Sequence, residues 1–146
     1  MKTSDAGSTW TQVYNDTGRF YFNQISCGDE NNCVAVGEGE SSNYTGAGIY
    51  ATSDGGKTWT EQYYGAGESM MAVEMLSPTE AWVASAYAKS QFNVEGRYYH
   101  TTDAGKTWNI DSTVKGHQAV DMSFISPTSA WACAVAQTAS ILLRYN

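Results

Sequence analysis

Two acidic residues, Glu74 and Asp121, are the strongest candidates for chemistry in this sequence. Each lies in an alternating segment that predicts a strand near the centre of the fold. A pair of carboxylates on either side of a bond is the arrangement with which glycoside hydrolases work. The other interpretation is structural, because acidic side chains in a solvated channel form hydrogen bonds with neighbouring strands. The sequence therefore leaves a glycoside hydrolase as an alternative and favours a protein without catalytic activity.

The remaining titratable residues do not form a catalytic or metal-binding pattern. His100 and His117 are isolated in the sequence. They lack the neighbouring Cys or acidic residues that a metal site requires. A Ser–His–Asp arrangement is not evident either. We therefore expect neither a metal nor a cofactor.

Four tyrosines lie in or near predicted loops, namely Tyr44, Tyr63, Tyr64 and Tyr87. A tyrosine in such a position can stack on a sugar ring or anchor a protein partner. It can equally pack at the rim of the fold, and the sequence does not separate these interpretations. They are our candidates for a binding surface.

The overall charge limits the class of partner. The 146-residue chain has a formal net charge of −7 and eight Lys plus Arg residues. This balance argues against nucleic acid and against an anionic membrane surface. Apolar stretches long enough to span a membrane are absent, so we do not expect membrane insertion.

A phrase repeated at a period of 49 residues must organise the fold. It reads SDAGSTW at Ser4–Trp10, SDGGKTW at Ser53–Trp59 and TDAGKTW at Thr102–Trp108. In each copy an Asp precedes glycine or alanine–glycine, which predicts a tight turn, and strand-forming residues flank it. A fixed period of this size indicates a repeat architecture.

The phrase resembles the Asp-box, or BNR repeat, with the pattern S/T-x-D-x-G-x-T-W. The resemblance is to β-propellers that include sialidases, the sortilin ectodomain and photosystem II assembly-factor-like proteins. It implies that each box joins the third and fourth strands of a blade at the rim, away from the active face. The residues that carry it are Asp5, Gly7, Trp10, Asp54, Gly56, Trp59, Asp103, Gly105 and Trp108.

A second hairpin precedes each box, so every repeat has four short strands. We predict an all-β fold of three four-stranded antiparallel propeller blades, as half of a six-bladed ring or part of a larger assembly. The chain is treated as one domain, 1–146. Its predicted parts are a fourth strand at 1–15, blades at 16–63 and 64–112, and an incomplete blade at 113–146. Loops of variable length between the second and third strands mark the expected binding face.

Laid over one another at 49 residues, the hairpins place Cys27 and Cys33 at the positions of an apolar pair in each of the other repeats. These pairs are Leu76 with Trp82, and Ile125 with Trp131. Residues that flank a five-residue tip face one another, within disulfide reach. We predict a Cys27–Cys33 disulfide, with two buried thiols as the alternative. Propellers of the family it resembles often carry such a pair.

Several other residues are assigned to the core or to loops. Cys133 is expected to be a small buried residue, and the tryptophans are expected in the core, namely Trp10, Trp59, Trp82, Trp108 and Trp131. Asn15 and Asn43 begin N-glycosylation sequons in predicted loops. The predicted disulfide favours a secreted or cell-surface protein, with the periplasm as an alternative, and the sequons are compatible with an extracellular location.

Resemblance to sialidases implies a specific active site, which this sequence does not match. Arg19, Arg97 and Arg144 sit at unrelated repeat positions, and the Arg-Ile-Pro motif is absent. We expect instead a non-catalytic extracellular module that binds a glycan or a protein. Three blades leave strand edges and apolar faces open, so we also expect head-to-tail self-association into a closed ring or a fibre.

Overall fold

The computed structural model describes residues 1–15, 18–39, 45–90, 93–115, 117–136 and 139–145. The described residues form eleven strands and no helix, in three antiparallel sheets. The first sheet contains β1 (Phe20–Cys27), β2 (Cys33–Gly39), β3 (Gly46–Thr52) and β4 (Thr60–Ala66). The second contains β5 (Glu68–Met75), β6 (Ala81–Ser90), β7 (Asn93–Thr101) and β8 (Asn109–Lys115). The third contains β9 (Gln118–Ser126), β10 (Ser129–Ala136) and β11 (Ala139–Tyr145).

Each sheet is a meander in which consecutive strands pair. One edge strand of each sheet is β1, β5 or β9, which we call the inner edge strands because β5 contacts both β1 and β9; the opposite edges are β4, β8 and β11. The predicted blade boundaries at 63/64 and 112/113 fall inside β4 and β8, so they are each three residues too early. The reason is that the strand after each repeated turn is longer than expected. Gly67, at φ 72°, makes the change of direction from β4 to β5, in a region where other residues are strained.

The sheets pack face to face, and the two interfaces differ in composition. Between the first and second sheets the core is aliphatic and aromatic, and it includes Val36, Ile49, Val83 and Tyr99. Between the second and third sheets the buried cluster consists of alanines alone, namely Ala72, Ala84, Ala119 and Ala132. Large side chains bury more apolar area than alanine does, so the first interface contributes more to stability.

Strand pairing corrects the 49-residue alignment of the hairpins. Cys27 pairs with Cys33, Met75 with Ala81 and Phe124 with Ala130. The hairpin of the second sheet therefore follows that of the first by one residue less than the 49-residue period. The hairpin of the third sheet follows that of the second by the full period. The cysteines match Met75 and Ala81 rather than Leu76 and Trp82. In a strand, a slip of one residue moves every side chain to the opposite face.

The N-terminal segment folds onto the first sheet. Lys2 and Thr11 exchange two backbone hydrogen bonds of 2.8 Å, and this isolated bridge lies where a fourth strand was predicted. The ring of Tyr14 packs against those of Phe22 and Tyr50, with centroids 5.9 and 5.7 Å apart. Residues 1–15 thus cover part of the face of the first sheet that is turned away from the second.

Candidate functional site

Glu74 lies on β5 and Asp121 lies on β9, both inner edge strands. A carboxylate oxygen of Glu74 accepts a hydrogen bond from the backbone N–H of Phe124 at 3.1 Å. Asp121 accepts one from Gln24 Nε2 at 3.3 Å and one from the N–H of Met122 at 2.9 Å. Burial raises the pKa of Glu74, the bond from Phe124 lowers it, and the charge of Asp121 raises it further.

The bond made by Glu74 belongs to a set of contacts between the inner strands. Gln24 Oε1 accepts a hydrogen bond from the N–H of Val73 at 2.6 Å, and Ser26 Oγ accepts one from Met75 at 3.0 Å. In each case a side chain of one sheet satisfies an amide on the edge strand of the next sheet. Unpaired edge amides otherwise attract other chains. The Glu74 carboxylate thus has a structural role that needs no catalysis.

A second cluster, which sequence reasoning missed, surrounds Glu68. We call it the Glu68 network; its members are Glu68, Ser85, Glu95, Arg97 and Tyr99. The Glu68 side chain is only 2% exposed, and its carboxylate accepts hydrogen bonds from Ser85 Oγ at 2.8 Å, Arg97 Nη1 at 2.7 Å and Tyr99 OH at 2.6 Å. Arg97 Nε also donates to Glu95 at 3.2 Å. The network is a buried ion pair with several additional hydrogen bonds.

The electrostatics of the network keep its arginine charged and its tyrosine neutral. Burial disfavours the charge of Arg97, but hydrogen bonds with Tyr99, Glu95 and Glu68 outweigh it and raise the pKa of Arg97. Burial raises the pKa of Tyr99, and its hydrogen bond to Glu68 raises it further. With Arg97 as counter-charge and hydroxyl donors on both oxygens, the Glu68 carboxylate is held in place.

The first sheet is shaped to admit this carboxylate. Gly65 lies opposite Glu68, and a Cβ at that position would come within 2.8 Å of Glu68 Cδ. A side chain at Gly65 would therefore force the Glu68 carboxylate to shift from its position.

The Glu68 network lies at one end of the sheets, beside a cleft. Strands β2, β4 and β6 end here, and the repeated turns lie at the other end. The cleft has a volume of about 370 Å³, and residues of all three sheets line it, among them Glu38, Glu68 and Gln118. Tyr21 OH donates a short hydrogen bond to Glu38. We call this feature the end cleft, and it lies on the face where the variable loops were expected.

The predicted tyrosines are only partly available for binding. Tyr63 lies 2.9 Å from Tyr99, hydroxyl to hydroxyl, and the Tyr87 ring lies 3.6 Å beneath the Arg97 guanidinium. Both support the Glu68 network. Tyr64 is 42% exposed and has its ring edge-on to Phe20. Tyr44 lies outside the described residues.

The repeated turns share one hydrogen-bond pattern, shown here for the second. Asp54 accepts bonds from the N–H of Thr58 at 2.9 Å, from its hydroxyl at 2.6 Å and from Thr52 Oγ at 2.8 Å. Thr52 Oγ in turn accepts the N–H of Gly56 at 2.9 Å. The first and third turns repeat these bonds around Asp5 and Asp103. The S/T position of the pattern is thus filled by Thr3, Thr52 and Thr101. Each comes directly before the first residue of the repeated phrase.

These hydrogen bonds favour the ionised aspartates. Bonds from Thr9 and Thr3 lower the pKa of Asp5 to about 2. Bonds from Thr58 and Thr52 lower the pKa of Asp54, and bonds from Thr107 and Thr101 lower that of Asp103. The ionised aspartates therefore stabilise the turns.

Two tryptophans and one cysteine contradict the prediction that they are buried. Trp10 is 57% exposed, Trp131 is 44% exposed, and Cys133 is exposed. Trp131 and Cys133 lie on the face of the third sheet that is turned away from the second, whereas Trp82 packs between these sheets and is 3% exposed. Trp82 also stacks on His100, with centroids 4.1 Å apart.

The structure bears on the predicted disulfide and on one of the two predicted glycosylation sites. Cys27 and Cys33 lie at disulfide distance, with sulfurs 2.08 Å apart, as predicted. Asn15 is exposed, and Asn43 lies outside the described residues. Within the described ranges there is no group of three His, Cys, Asp or Glu residues able to hold a metal ion. The described residues contain no helix that is long and apolar enough to cross a membrane.

Comparison with known proteins identifies the fold. No protein-family model matches the sequence, and no curated protein matches it. Among solved structures, YCF48 bound to D1 peptide is similar with a TM-score of 0.59 at 17% identity. The similarity covers 88% of this chain and 40% of that chain, so this chain spans less than half of that protein's length. It supports a propeller-like, all-β fold.

Proposed function

We propose that this chain is a non-catalytic propeller module of the Asp-box type that binds a polypeptide segment in the end cleft. The observation that carries the proposal is the cleft itself, where the three sheets meet beside the Glu68 network. A rigid support beneath a polar cleft lowers the entropic cost of ordering the site on binding. The similar structure of YCF48, which is bound to a peptide, supports a protein partner over a glycan.

The charges of the cleft define the segment that it fits. Glu38 and Glu68 line it; Arg97 balances the charge of the buried Glu68, so the negative potential comes from Glu38 and from the chain's net charge of −7. A segment with Lys or Arg side chains complements this surface, and complementary charge increases the rate of encounter and the specificity. The Cys27–Cys33 pair is compatible with an extracellular location, where such a module would meet secreted partners.

Binding of short peptides tests this function. We expect Lys/Arg-rich peptides to bind more tightly than Asp/Glu-rich peptides of equal length, in calorimetric titrations at low salt. Glu38→Gln should weaken the binding. Glu30→Gln is the matched control, since Glu30 is exposed in the β1–β2 tip at the other end of the sheet. Equal affinity for both peptide classes, or equal effects of the two substitutions, would contradict a site in the cleft. A glycan array tests the alternative ligand.

We also propose that the module associates with itself, head to tail, in a closed ring or a fibre. The third sheet exposes Trp131, Val135 and Leu142 on one face, and apolar surface of this kind favours association. Light scattering coupled to size exclusion at micromolar concentration tests this, and a folded monomer of 15.9 kDa would contradict it.

The second candidate function is glycoside hydrolysis by Glu74 and Asp121. It is favoured by one observation, the raised pKa of Glu74 next to a second acid, because a general acid needs a raised pKa. Turnover of a fluorogenic glycoside and sialoside panel is the measurement. Glu74→Ser is the informative variant, since Ser26 accepts the corresponding bond in the first sheet with a hydroxyl. Turnover that this variant abolishes would displace the binding proposal.

A further inference from the structure

The third sheet has an apolar face that no other described sheet covers, and on it the Arg144 guanidinium lies 5.7 Å from the centre of the Trp131 ring. We call it the outward face, and it consists of Trp131, Cys133, Val135 and Leu142. Leu142 is 71% exposed, Trp131 44% and Val135 40%. The first three alternate along β10, and Leu142 pairs with Cys133, so all four point in one direction.

The first sheet has a complementary face at the opposite side of the molecule. We call it the receiving face, and it consists of Phe22, Ile25, Ala35 and Tyr50. Phe22 is 42% exposed and Ile25 is 57% exposed. A cavity of about 260 Å³ lies on it, lined by Phe22, Ile25 and Ala35 together with Tyr14 and Trp59.

The receiving face reproduces the face that the second sheet presents to the first. In the second sheet, Tyr99 packs against Tyr63 from the preceding sheet, with centroids 5.0 Å apart and planes at 50°. In the first sheet, Tyr50 packs against Tyr14 from the N-terminal segment, with centroids 5.7 Å apart and planes at 50°. The N-terminal segment therefore lies on the first sheet as β4 lies on the second.

The outward face likewise reproduces the face that the first sheet presents to the second. By strand register, Cys133 takes the place of Val36 and Leu142 takes the place of Ile49, since each pair is joined across the strand in the same way. Val36 and Ile49 are fully buried in one cluster with Val73 of the second sheet. Ile25 of the receiving face takes the place of Val73.

The polar contacts of the internal interfaces have a matching donor and acceptor on these two faces. Ser26 accepts the N–H of Met75, and Glu74 accepts the N–H of Phe124. Ser123 takes the same position in the third sheet and is exposed. The amide that corresponds to Met75 and Phe124 in the first sheet is that of Cys27.

We propose that the receiving face of a second copy of this chain covers the outward face, in the geometry of the interface between the first and second sheets. In this contact Leu142 and Cys133 of one copy pack on Ile25 of the next, and Ser123 accepts a hydrogen bond from the Cys27 amide. The two faces differ, so the contact is heterologous and joins copies head to tail. The inference rests on the self-association proposed above and assigns its interface.

Two single substitutions and their mixture test the interface. Leu142→Asp removes the outward face, and Ile25→Asp removes the receiving face; both residues are exposed, so each copy should still fold. We expect each variant to be monomeric by light scattering at concentrations where the unaltered chain is assembled. Mixed together they should form a dimer, because each variant retains the face that the other has lost. Ile110→Asp, at a 48% exposed position on β8, is the control and should stay assembled.

The outcomes separate the two proposals. A monomeric unaltered chain would overturn both the self-association and this interface. Assembly that persists in Leu142→Asp and Ile25→Asp would overturn the interface and leave self-association standing. Monomeric variants that form no dimer on mixing would overturn the head-to-tail pairing of these faces. Circular dichroism melts of every variant verify that each is folded.

Discussion

Removing the carboxylate of Glu68 should destabilise the protein more than removing an acid or base from its surface. Glu68→Ala leaves the buried Ser85 and Tyr99 hydroxyls without their acceptor, and leaves Arg97, whose side chain is 18% exposed, without its closest counter-charge. Removing one partner of a buried pair costs roughly 3–5 kcal/mol. For a chain of this size, each kcal/mol lowers the melting temperature by about 3–4 °C. We therefore expect Glu68→Ala to melt roughly 10–20 °C below the unaltered chain.

The comparison variant is Arg19→Gln, which breaks the ion pair of Arg19 with Glu61. That pair has a shorter distance, 2.6 Å, but its side chains are 33% and 29% exposed. A more exposed pair contributes about 0–1 kcal/mol because water and salt screen it. Chemical denaturation monitored by tryptophan fluorescence gives both free energies of unfolding. Equal losses in the two variants would refute the argument that burial of Glu68 determines its contribution.

The double substitution Glu68→Met with Arg97→Met tests what happens when both members of the ion pair are removed together. It replaces the ion pair with apolar side chains of similar length, and Glu95, whose side chain is 13% exposed, loses its hydrogen bond from Arg97 Nε. Replacing both members of a buried pair is often close to neutral. We expect the double variant to be more stable than Glu68→Ala. A loss equal to or greater than that of Glu68→Ala would show that the charge pair itself, and not its incomplete removal, sets stability.

Three further predictions concern titration and the disulfide. The repeated turns lower the aspartate pKa values below the unfolded value of 3.8, to about 2 for Asp5, so the stability that these aspartates contribute is present above about pH 4 and is lost as the pH falls towards 2. The melting temperature of Asp54→Ala should therefore decline less steeply across this pH range than that of the unaltered chain. The same slope in both proteins would contradict this. Burial raises the pKa values of Tyr63, Tyr98 and Tyr99 above 10. Ultraviolet titration should therefore show these three hydroxyls ionising after the exposed tyrosines and together with alkaline unfolding. Ionisation of all ten tyrosines in one step near pH 10 would contradict this. Cys27→Ser with Cys33→Ser opens a loop with a sequence separation of 6 and should lower the free energy of unfolding by about 2 kcal/mol, as measured from denaturant midpoints. A midpoint that neither this variant nor a reductant changes would show that the loop is ordered without the bond.

The repeated turns were predictable because their chemistry is local. An Asp and a Gly two residues apart encode both the hydrogen bonds and the positive φ values, which are 72° at Gly55 and 83° at Gly56. Even here the contribution of Thr52 was missed, because the quoted phrase began one residue after it. Its hydroxyl joins Asp54 to Gly56, a link that the turn geometry makes plain.

The Glu68 network was not predictable from spacing. Its residues come from β5, β6 and β7, and they meet only because Ser85 pairs with Arg97 and Met70 pairs with Ser85. These register positions depend on the bulge between Met70 and Ala72, which no residue pattern in the chain marks. A sequence that shows Glu68 as one of its 15 acidic residues gives no reason to select it.

The one-residue error in aligning the hairpins has the same origin. Small and apolar residues alternate weakly in β2 and β6, so that either register places an apolar side chain on each face. Pairing resolves the ambiguity, and it places Trp82 opposite the third sheet and Val83 opposite the first. The expectation that both Trp82 and Trp131 are buried failed for Trp131, because burial on that face depends on a neighbouring sheet.

The two internal interfaces explain why the outward face combines apolar side chains with an exposed hydrogen-bond acceptor. The first interface is filled by large side chains, whereas the second is held by alanines and leaves a cavity of about 240 Å³ lined by Trp82, Tyr98 and Phe124. Packing strength therefore falls along the chain, while the amide contact of the inner strands is kept from Ser26 to Glu74. A sheet at the end of such a series, with Ser123 in the same position and Leu142 exposed, retains the elements needed to pack against another sheet. Covering that face would also stabilise the third sheet, which its alanine interface holds only weakly.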